Sequence, residues 1–340
     1  MPGYCRLSEL AARRAPPVST GGGMTMNAIS EIPIREHANA ATKARLNAPL
    51  LSILVPFYRD DPGALLDALA PLVRPHDDIE LILYDDGEPD PALNRQVSAH
   101  IDHLDIAIRL LSSARNRGRA AGRNLLAQQA HGAWLLYLDA DMTPRDSGFL
   151  NRYREVINAD ACDAVFGGYE TDWPEDHELQ LHAALSHASD QNDAATRNGI
   201  GATAFCSSNL LVRSSVMKAC PYDNGYTGWG WEDVDWAVSA ARDFTLRHID
   251  NPARHGGLQT SGVLLDKFRA GAANFKRLLD RHPELVDLPG ARAARWLKTV
   301  PGQHRLRGLW SRMAASQVLP VRARTLALKL WRASWASEVI

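Results

Sequence analysis

The chain has 340 residues, of which 45% are hydrophobic and 23% are charged, and its formal net charge is −1. This composition is typical of a globular protein and excludes a fibrous, collagen-like or wholly disordered chain. Its apolar runs are much shorter than the roughly 20 residues that cross a bilayer, and its N-terminal residues lack the apolar segment of a secretory signal. Four scattered cysteines without a CxxC pair favour reduced thiols, so a cytoplasmic location is expected.

The distribution of Gly, Pro, apolar and charged residues divides the chain into three regions. Residues 1–48 have a Pro-Pro pair, a run of three glycines and little apolar periodicity, which predicts a poorly ordered leader. Residues 49–262 have the apolar patterning of a folded domain. Residues 263–340 hold fifteen basic and five acidic residues, a net charge of +10 against −11 for the rest. This asymmetry predicts a basic, helical C-terminal region with a separate role.

Continuous apolar segments alternate with helical patterns in the first half of the chain. Such segments are typical of parallel βαβ units, which predicts a mostly parallel α/β sheet with functional loops at the carboxyl ends of its strands. The predicted elements are strands at residues 51–57, 79–84, 106–111 and 134–138, and helices at residues 62–72, 91–101 and 120–130.

The second half has a less regular pattern. Residues 167–201 are rich in Trp, Asp and His and are expected to be irregular. The elements predicted after them are a strand at 204–212, a helix at 214–219, a turn that becomes helical over 228–243, a strand at 245–250 and helices through most of the C-terminal region.

Two carboxylates, Asp139 and Asp141, flank Ala140 at the end of a predicted buried strand. They repel each other unless a cation lies between them, and hard oxygen ligands suit Mn²⁺ or Mg²⁺. The structural alternative is a solvated turn. Residues 135–143 also fit the DxDxT pattern of haloacid-dehalogenase-type phosphatases, but three βα units precede them and no downstream Lys with paired Asp is evident.

A Gly-Trp-Gly-Trp segment precedes the acidic residues Glu232 and Asp233. The glycines permit a tight turn, and the rings of Trp229 and Trp231 can stack on a sugar. A carboxylate at a helix N-terminus stays ionised and can act as a general base, whereas the structural alternative is an acidic N-cap beside a core Trp. His255 follows on a loop, where an isolated histidine is more often a surface residue than a metal ligand.

Together these segments resemble family 2 glycosyltransferases of the GT-A fold, with an end similar to the β-1,4-galactosyltransferase-like domain. The resemblance covers residues 51–257, a little over half of the chain. The chain departs from the family at Trp231, where Gly is frequent, and after Gly87, where Glu88 replaces the commoner Ser. The segments that carry the resemblance are ILVPFYR at 53–59, YDDG at 84–87, ARNRGRAAGRN at 114–124, DAD at 139–141 and YTGWGWEDVD at 226–235, with His255 beyond them.

The resemblance implies a Rossmann-like, nucleotide-sugar-binding α/β sandwich and a metal-dependent inverting transfer of sugar. Asp141 and His255 would hold Mn²⁺ or Mg²⁺, Asp233 would be the base with Glu232 beside it, and Trp229 and Trp231 would stack on sugar. The donor would be a nucleotide diphosphate sugar, with UDP-linked galactose, N-acetylgalactosamine or N-acetylglucosamine favoured. The implied donor contacts are Pro56, Tyr58, Arg59, Asp85, Asp86, Asn116, Arg119, Arg123, Asp139 and Ala140.

The acceptor is expected to be a hydroxyl of a glycan or a lipid-linked glycan. Residues 288–337 contain ten Lys or Arg, no acid, and interspersed Trp and Leu, which is typical of a helix on an anionic membrane. This favours peripheral attachment to the cytoplasmic membrane face, although the apolar residues can instead pack on the domain. A non-catalytic, sugar-binding relative is the alternative function, and nucleic acid is not expected because no binding module is recognisable.

Overall fold

The structure is a computed structural model that describes residues 33–44, 47–189 and 191–340, and Pro33–Ile340 form one compact unit. The strands of the described residues form a sheet of eight and a sheet of three. They are β1 (Ile34–Ala38), β2 (Leu51–Phe57), β3 (Ile79–Asp85), β4 (Ile108–Ser113), β5 (Trp134–Leu138), β6 (Met142–Pro144), β7 (Ala164–Phe166), β8 (Tyr169–Glu170), β9 (Asn209–Arg213), β10 (Leu246–His248) and β11 (Ala253–His255).

The helices of the described residues cover both faces of the large sheet and make up most of the C-terminal region. Three short 3₁₀ turns lie among them, at Gly201–Ala204, Pro283–Asp287 and Gln303–Leu306. The α-helices are α1 (Ala40–Lys43), α2 (Gly63–Val73), α3 (Pro91–Asp102), α4 (Arg119–Gln129), α5 (Phe149–Ala159), α6 (Gln180–Ser189), α7 (Ala194–Ile200), α8 (Ser214–Ala219), α9 (Glu232–Ala240), α10 (Ser261–Ala270), α11 (Ala272–Arg281), α12 (Pro289–Lys298), α13 (Arg307–Ala315) and α14 (Val321–Val339).

The large sheet has the strand order β1-β4-β3-β2-β5-β9-β7-β10. Strands β4, β3, β2 and β5 are parallel, as are β7 and β10, whereas β1 and β9 run antiparallel to their neighbours. The predicted mostly parallel α/β sheet is therefore confirmed. The strand order reverses between β2 and β5, and ligands of open α/β sheets bind in the crevice at such a switch point.

Apolar residues on both faces of the strands explain why these segments form the centre of the sheet. Along β2, Ile53 and Val55 belong to one buried cluster, and Leu54 belongs to another on the opposite face. Successive side chains of a strand point to opposite faces, so a continuous apolar run is needed when helices cover both. These two clusters hold rigid the strands whose ends carry the site.

The C-terminal helices pack on the rest of the unit through α14, which contacts α6, α10, α11, α12 and α13. Leu328 of α14 lies in one buried cluster with Leu181 of α6 and Leu264 of α10. Residues 263–340 are helical, as predicted, but they form a wall of the same compact unit. Within the described residues, every helix is too short or too polar to span a bilayer.

The ordered fold begins before the predicted boundary at residue 49, so the prediction of a leader is wrong for the described residues of that region. Strand β1 pairs antiparallel with β4 and extends the sheet. The side chain of Asn39 donates to the carbonyls of Ile101, Leu104 and Ile106, which fixes the end of β1. Strand β1 is mostly exposed, so its sequence has little apolar patterning. Residues 1–32, 45 and 46 lie outside the described part of the chain.

Two further predictions are wrong. Residues 167–201 are not irregular, because α6 and α7 lie within them. The strand predicted over 204–212 begins only at Asn209, after a 3₁₀ turn that ends at Ala204. The backbone between them is extended or turned, and it directs Cys206 and Ser207 toward Asp233. The polar side chains of Ser207, Ser208 and Asn209 interrupt the apolar pattern. Ser207 donates to Asp233, whereas Asn209 donates to the carbonyls of Gly168 and Asn251.

Candidate active site

A first cavity of about 270 Å³ lies at the switch point, beyond the carboxyl ends of β2, β3 and β5. Neighbouring parallel strands end at the same edge, so residues that follow each strand meet there. The sequence-predicted residues that line this first cavity are Pro56, Tyr58, Asp86, Asn116, Arg119, Arg123, Asp139, Ala140 and Asp141.

Asp86 joins two loops at the first cavity. Its carboxylate accepts from the backbone N–H groups of Arg117 and Gly118, at 2.7 and 3.0 Å, and from the Tyr84 hydroxyl at 3.1 Å. Burial raises the pKa of Asp86 to about 6, although the two backbone N–H groups and the hydroxyl favour the ionised form. Gly87 beside it has φ of +75°, and a Cβ there would lie 2.3 Å from the backbone of Arg115. The loops can therefore approach only with glycine at this position.

Two predicted donor contacts do not line the first cavity. The carboxylate of Asp85 accepts from the backbone of Glu88 at 2.7 Å and from the side chain of Asn94, so it supports the loop from below. The side chain of Arg59 is exposed and lies over the ring of Tyr58. Glu88, the departure from the family, accepts from the backbone of Arg59 and Asp90 and holds the same loop.

Asp141, in the turn after β5, meets His255, which is the last residue of β11 and does not lie on a loop as the sequence predicted. The Nε2 atom of His255 lies 3.2 Å from a carboxylate oxygen of Asp141. Burial acts to raise the pKa of Asp141, but the hydrogen bond and charge of His255 and the charge of Arg119 hold it below its usual range. A Cβ at Gly257 would lie 1.8 Å from the same carboxylate, so this glycine leaves the space that Asp141 fills.

The two side chains fit a divalent cation. An ionised carboxylate and an imidazole nitrogen aimed at one another are suitable ligands for Mn²⁺, and the Nδ1 atom of His255 is buried without a partner among the described residues. Across the described residues, no group of three or more His, Cys, Asp or Glu converges on one point. The protein therefore offers a partial ligand set, which leaves positions open for oxygens of a bound molecule.

A second cavity of about 380 Å³ adjoins the first and shares Arg119, Asp139 and Asp141 with it. One side carries the carboxylates that the sequence singled out, and the other is formed by α10 and α14 of the C-terminal region. The sequence-predicted residues that line only the second cavity are Trp229, Trp231, Glu232, Asp233 and His255.

Arg123 binds three carboxylates in the wall between the cavities. Its guanidinium, which is 1% exposed, lies 3.0 Å from Asp139, 3.3 Å from Glu232 and 3.5 Å from Asp233. Sequence reasoning assigned Arg123 to the donor, whereas in the structure it neutralises and orients the acidic residues. Burial raises the pKa of Glu232, and the negative charge of Asp233 adds to the shift while Arg123 opposes it.

Asp233 is the carboxylate at the start of α9 that stays in contact with the second cavity. Its oxygens accept from Ser207 Oγ at 2.5 Å and from Cys206 Sγ at 3.5 Å, and 18% of its side chain is exposed. Asp235, one position beyond Val234, is instead buried and pairs with Arg281 and His282 at 2.7 and 2.9 Å. Asp235 therefore serves packing, and Asp233 is the group that can meet a ligand.

The Gly-Trp-Gly-Trp loop has left-handed backbone at Gly228, Gly230 and Trp231, where φ is +72°, +92° and +78°. The last value explains why Gly suits position 231, since a Trp there costs roughly 1–3 kcal/mol of backbone strain. Phe275 stacks on the Trp231 ring at 4.5 Å, and the guanidinium of Arg332 lies 4.5 Å from the ring centre. Trp231 is thus packed against the C-terminal helices and also lines the second cavity, and its stacking on a sugar stays a prediction.

Residues of the C-terminal helices also hold this loop. Asn274 of α11 donates to the carbonyl groups of Thr227, Trp229 and Gly230. Phe268 packs edge-on against Trp229, at 5.3 Å between ring centres. The position of the loop therefore depends on the region that the sequence analysis treated as a tail.

Sequence reasoning missed four charged or titratable groups near the metal pair. His182 of α6 accepts from the backbone of Gln259, and burial with the charge of His255 lowers its pKa to about 4. Burial lowers the pKa of Lys267 and raises that of Asp60. The fourth is Arg332. Asp60 lies in the loop after β2 and lines the first cavity, whereas the packing of α6, α10 and α14 brings the other three to the second cavity.

The mostly parallel α/β sheet, with cavities at its switch point, has the GT-A fold of known glycosyltransferase structures. The model described as Glycosyl transferase family 2 matches residues 52–218, so this part of the chain is a family 2 glycosyltransferase domain. This confirms the family that the motifs indicated and favours it over the phosphatase alternative.

Among similar proteins is the glycosyltransferase AglE of Haloferax volcanii, which is 26% identical over 242 residues, 68% of this chain and 76% of AglE. An uncharacterized glycosyltransferase of Haemophilus influenzae is 33% identical over 96 residues, which are 28% of this chain and 38% of that protein. The chain spans much less than two thirds of this second relative.

Two solved structures share the fold. One is the mannosyltransferase PcManGT of Pyrobaculum calidifontis in complex with GDP-Man and Mn²⁺, with a TM-score of 0.55, 18% identity and coverage of 86% of this chain and 88% of that one. The other is TarS of S. aureus, with a TM-score of 0.50, 14% identity and coverage of 80% and 50%.

Proposed function

We propose that the protein is a metal-dependent, inverting glycosyltransferase that moves a sugar from a nucleotide diphosphate sugar to a hydroxyl of a glycan or lipid-linked glycan. The observation that carries the proposal is the Asp141–His255 pair at the junction of the two cavities, with Asp233 in the second cavity. A donor whose diphosphate is held at the junction would have its nucleoside in the first cavity and its sugar beside Asp233, the proposed general base.

The first cavity suits the nucleotide part of the donor. Asp86, Asn116 and Tyr58 offer a carboxylate, an amide and an aromatic ring for a nucleobase and ribose. Arg119 lines both cavities, so its guanidinium can contact a diphosphate that extends from one cavity into the other. The sequence resemblance favours UDP-linked sugars as donors. Because PcManGT binds GDP-Man, GDP-linked sugars are the first alternative donors to compare with them.

Asp141 and His255 would hold Mn²⁺ or Mg²⁺ at the diphosphate. The bound cation neutralises negative charge that develops on the leaving diphosphate. Lys267 lies close enough to Asp60 and Asp141 for their charges to interact, so it adds positive charge near the proposed diphosphate position. Arg119 and Lys267 bind and orient the leaving group in this arrangement.

Asp233 would take the proton from the acceptor hydroxyl. Hydrogen bonds from Ser207 and Arg123 hold its carboxylate in a single orientation toward the second cavity. Attack from the Asp233 side, with the diphosphate leaving toward Asp141, inverts the configuration at the anomeric carbon. Glu232 is nearly buried against Arg123, so it orients Asp233 and the guanidinium.

Slow hydrolysis of donors tests the proposal without knowledge of the acceptor. A panel of UDP- and GDP-sugars with Mn²⁺ is expected to give metal-dependent release of the nucleoside diphosphate from one donor class. Asp141→Asn and His255→Ala should each weaken Mn²⁺-dependent nucleotide binding by tenfold or more in calorimetric titration, because each removes a ligand. Asp67→Asn, an exposed carboxylate of α2, is the matched control. Unchanged binding and hydrolysis in both site variants would remove this pair from the reaction.

We also propose that the C-terminal helices attach the enzyme to an anionic membrane at the cytoplasmic face. Some of the apolar and basic residues that the sequence assigned to the membrane surface are instead packed inside the protein. They include Leu297, Trp310, Leu328 and Arg324, all of which are buried. Other members of the set remain exposed, and their basic neighbours each contribute on the order of 1 kcal/mol near an anionic surface. The exposed apolar residues of these helices are Trp296, Leu309 and Leu326, and the exposed basic ones are Arg292, Lys298, Arg312, Arg322 and Lys329.

Truncation would remove helices that line the second cavity, so point variants are the appropriate test. Wild-type protein should sediment with phosphatidylglycerol vesicles at low salt, and Trp296→Ala should reduce the bound fraction by severalfold. Trp173→Ala removes a ring of similar exposure outside the C-terminal region and is the matched control. Equal loss in the two variants, or no sedimentation of the wild type, would contradict attachment through these helices.

A further inference from the structure

The second cavity has an acidic side and a cationic side. Asp139, Asp141 and Asp233 lie on the first, and Lys267 and Arg332 come from the C-terminal helices opposite. The two cations differ in their surroundings. Lys267 interacts electrostatically with the acidic groups near the metal pair, whereas burial alone shifts the pKa of Arg332, lowering it to about 10. Among the described residues, no carboxylate forms an ion pair with Arg332.

The aromatic rings of the wall hold the guanidinium of Arg332 in place. It lies 4.5 Å from the ring centre of Trp231 and 4.9 Å from that of Phe268. In the part of the chain that the structure describes, no carboxylate or carbonyl accepts a hydrogen bond from it. An aromatic ring that faces a guanidinium stabilises its positive charge, but the ring cannot accept hydrogen bonds from the N–H groups at the edge of the guanidinium.

Other arginines at the same interface are satisfied by the protein. Arg324, which lies eight residues earlier on α14, donates to the carbonyls of Ala314 and His177 and to Ser261 Oγ. Arg307 pairs with Glu338 at 2.7 Å. Arg332 differs from them, because its side chain is half-buried and lines the second cavity without a hydrogen-bond acceptor among the described residues. Its N–H groups can therefore meet an anion bound in that cavity.

We propose that the second cavity binds an acceptor that carries a carboxylate or phosphate group, and that Arg332 binds this oxyanion. The planar fork of arginine matches both groups and forms two parallel hydrogen bonds with either. Arg332 lines the second cavity and not the first, so the anion belongs to the molecule that reaches Asp233 and not to the nucleoside. This inference rests on the proposed function, since it identifies the occupant of the second cavity as the acceptor.

The test compares anionic and neutral sugars as probes of the protein loaded with Mg²⁺ and its preferred nucleoside diphosphate. Ligand-observed NMR titrations with glucuronate, glucose 6-phosphate and glucose separate carboxylate, phosphate and neutral chemistry. We expect at least one anionic sugar to bind about tenfold more tightly than glucose. Arg332→Gln should remove that preference, and Arg332→Lys should retain part of it because the charge remains.

Arg322→Gln, an exposed arginine of the same helix, is the matched control for net charge and should keep the full preference. Nucleotide affinity measured on the same samples shows that each variant is folded and tests the proposed function separately. If the nucleotide binds and the wild type does not prefer an anionic sugar, this inference is wrong and the proposed function stands. If an anionic sugar binds through Arg332 but no nucleotide binds, the proposed function is wrong. Equal losses in Arg332→Gln and Arg322→Gln would also overturn the role of Arg332.

Discussion

The two cavities of the site are built in different ways. The first is formed by the carboxyl ends of β2 and β3, the loops after the parallel strands and the start of α4, within residues 56–141 and with Gly228 at its edge. The second collects residues from α6, the loop before α9, β11, α10 and α14, which are spread from Arg119 to Arg332. One cavity is therefore a local product of the sheet, and the other depends on long-range packing of the C-terminal helices.

This difference separates two kinds of control over the reaction. Changes in the first cavity act on groups fixed by the sheet, such as Asp86 and its backbone donors. Changes in α10, α11 or α14 act on the second cavity through Asn274, Phe268 and Arg332. They meet the first cavity at its edge, where Gly228 lies in the loop that Asn274 holds. Variation of the C-terminal helices can thus alter the acceptor while donor binding is retained.

The largest effect is expected at the base. Asp233→Asn keeps the shape of the side chain but cannot take the proton, so transfer should fall by roughly 10²–10⁴ while nucleotide affinity is retained. Steady-state transfer and nucleotide titration measure the two quantities.

Asp235→Asn is the matched comparison on the same helix. It breaks a buried pair with Arg281 and His282, so it should lower the free energy of unfolding by about 3 kcal/mol and leave the turnover of folded protein near normal. Normal transfer by Asp233→Asn, or loss of chemistry in Asp235→Asn without loss of stability, would reverse the two assignments.

A smaller effect is expected where the cavities meet. A methyl group at position 257 would occupy the place of the Asp141 carboxylate, so Gly257→Ala should weaken metal-dependent nucleotide binding by about 10- to 100-fold. A Cβ at position 256 would lie 3.6 Å from the nearest atom, the backbone oxygen of Asp141. Gly256→Ala is therefore the matched control and should bind the nucleotide normally. Equal affinities of the two variants would show that the position of Asp141 does not govern binding.

The smallest effect concerns the pH dependence of Asp86. Its pKa of about 6 in the folded protein lies above the ordinary pKa of an aspartate, so the folded state binds a proton more readily than the unfolded chain. Stability from this group is therefore gained as the pH falls through 6 and lost as it rises through 6. Between pH 7 and 5 the wild type should gain about 1 kcal/mol of unfolding free energy relative to Asp86→Asn. Denaturant unfolding at both pH values measures this, and Asp61→Asn, which changes an exposed carboxylate and keeps Asp86, should show the same gain as the wild type.

The sequence predicted the first cavity well because its determinants are local. The strands 51–57 and 134–138 were predicted with their observed bounds, and each reactive loop follows directly from its strand. The motifs placed Asp86, Asp139 and Asp141 at the switch point for the same reason. Side-chain direction was not predictable there: Asp85 and Arg59 are adjacent in sequence to lining residues but turn away from the cavity.

The second cavity could be predicted only in part. The Gly-Trp-Gly-Trp segment has a recognisable pattern, but the packing of Trp231 depends on Phe275 and Arg332, which lie 44 and 101 positions later in the printed sequence. The basic residues of the C-terminal region looked equivalent in the sequence. Tertiary packing buried Arg324, left Arg322 exposed and placed Arg332 at the cavity.

A crystal structure of the protein with Mn²⁺ and the nucleoside diphosphate that it binds tests the central claim most directly. We predict the nucleoside in the first cavity near Asp86, the diphosphate and the cation at Asp141 and His255, and the second cavity open beside Asp233. A nucleotide bound in the second cavity, or a cation bound away from Asp141 and His255, would contradict the division of the site into a donor cavity and an acceptor cavity.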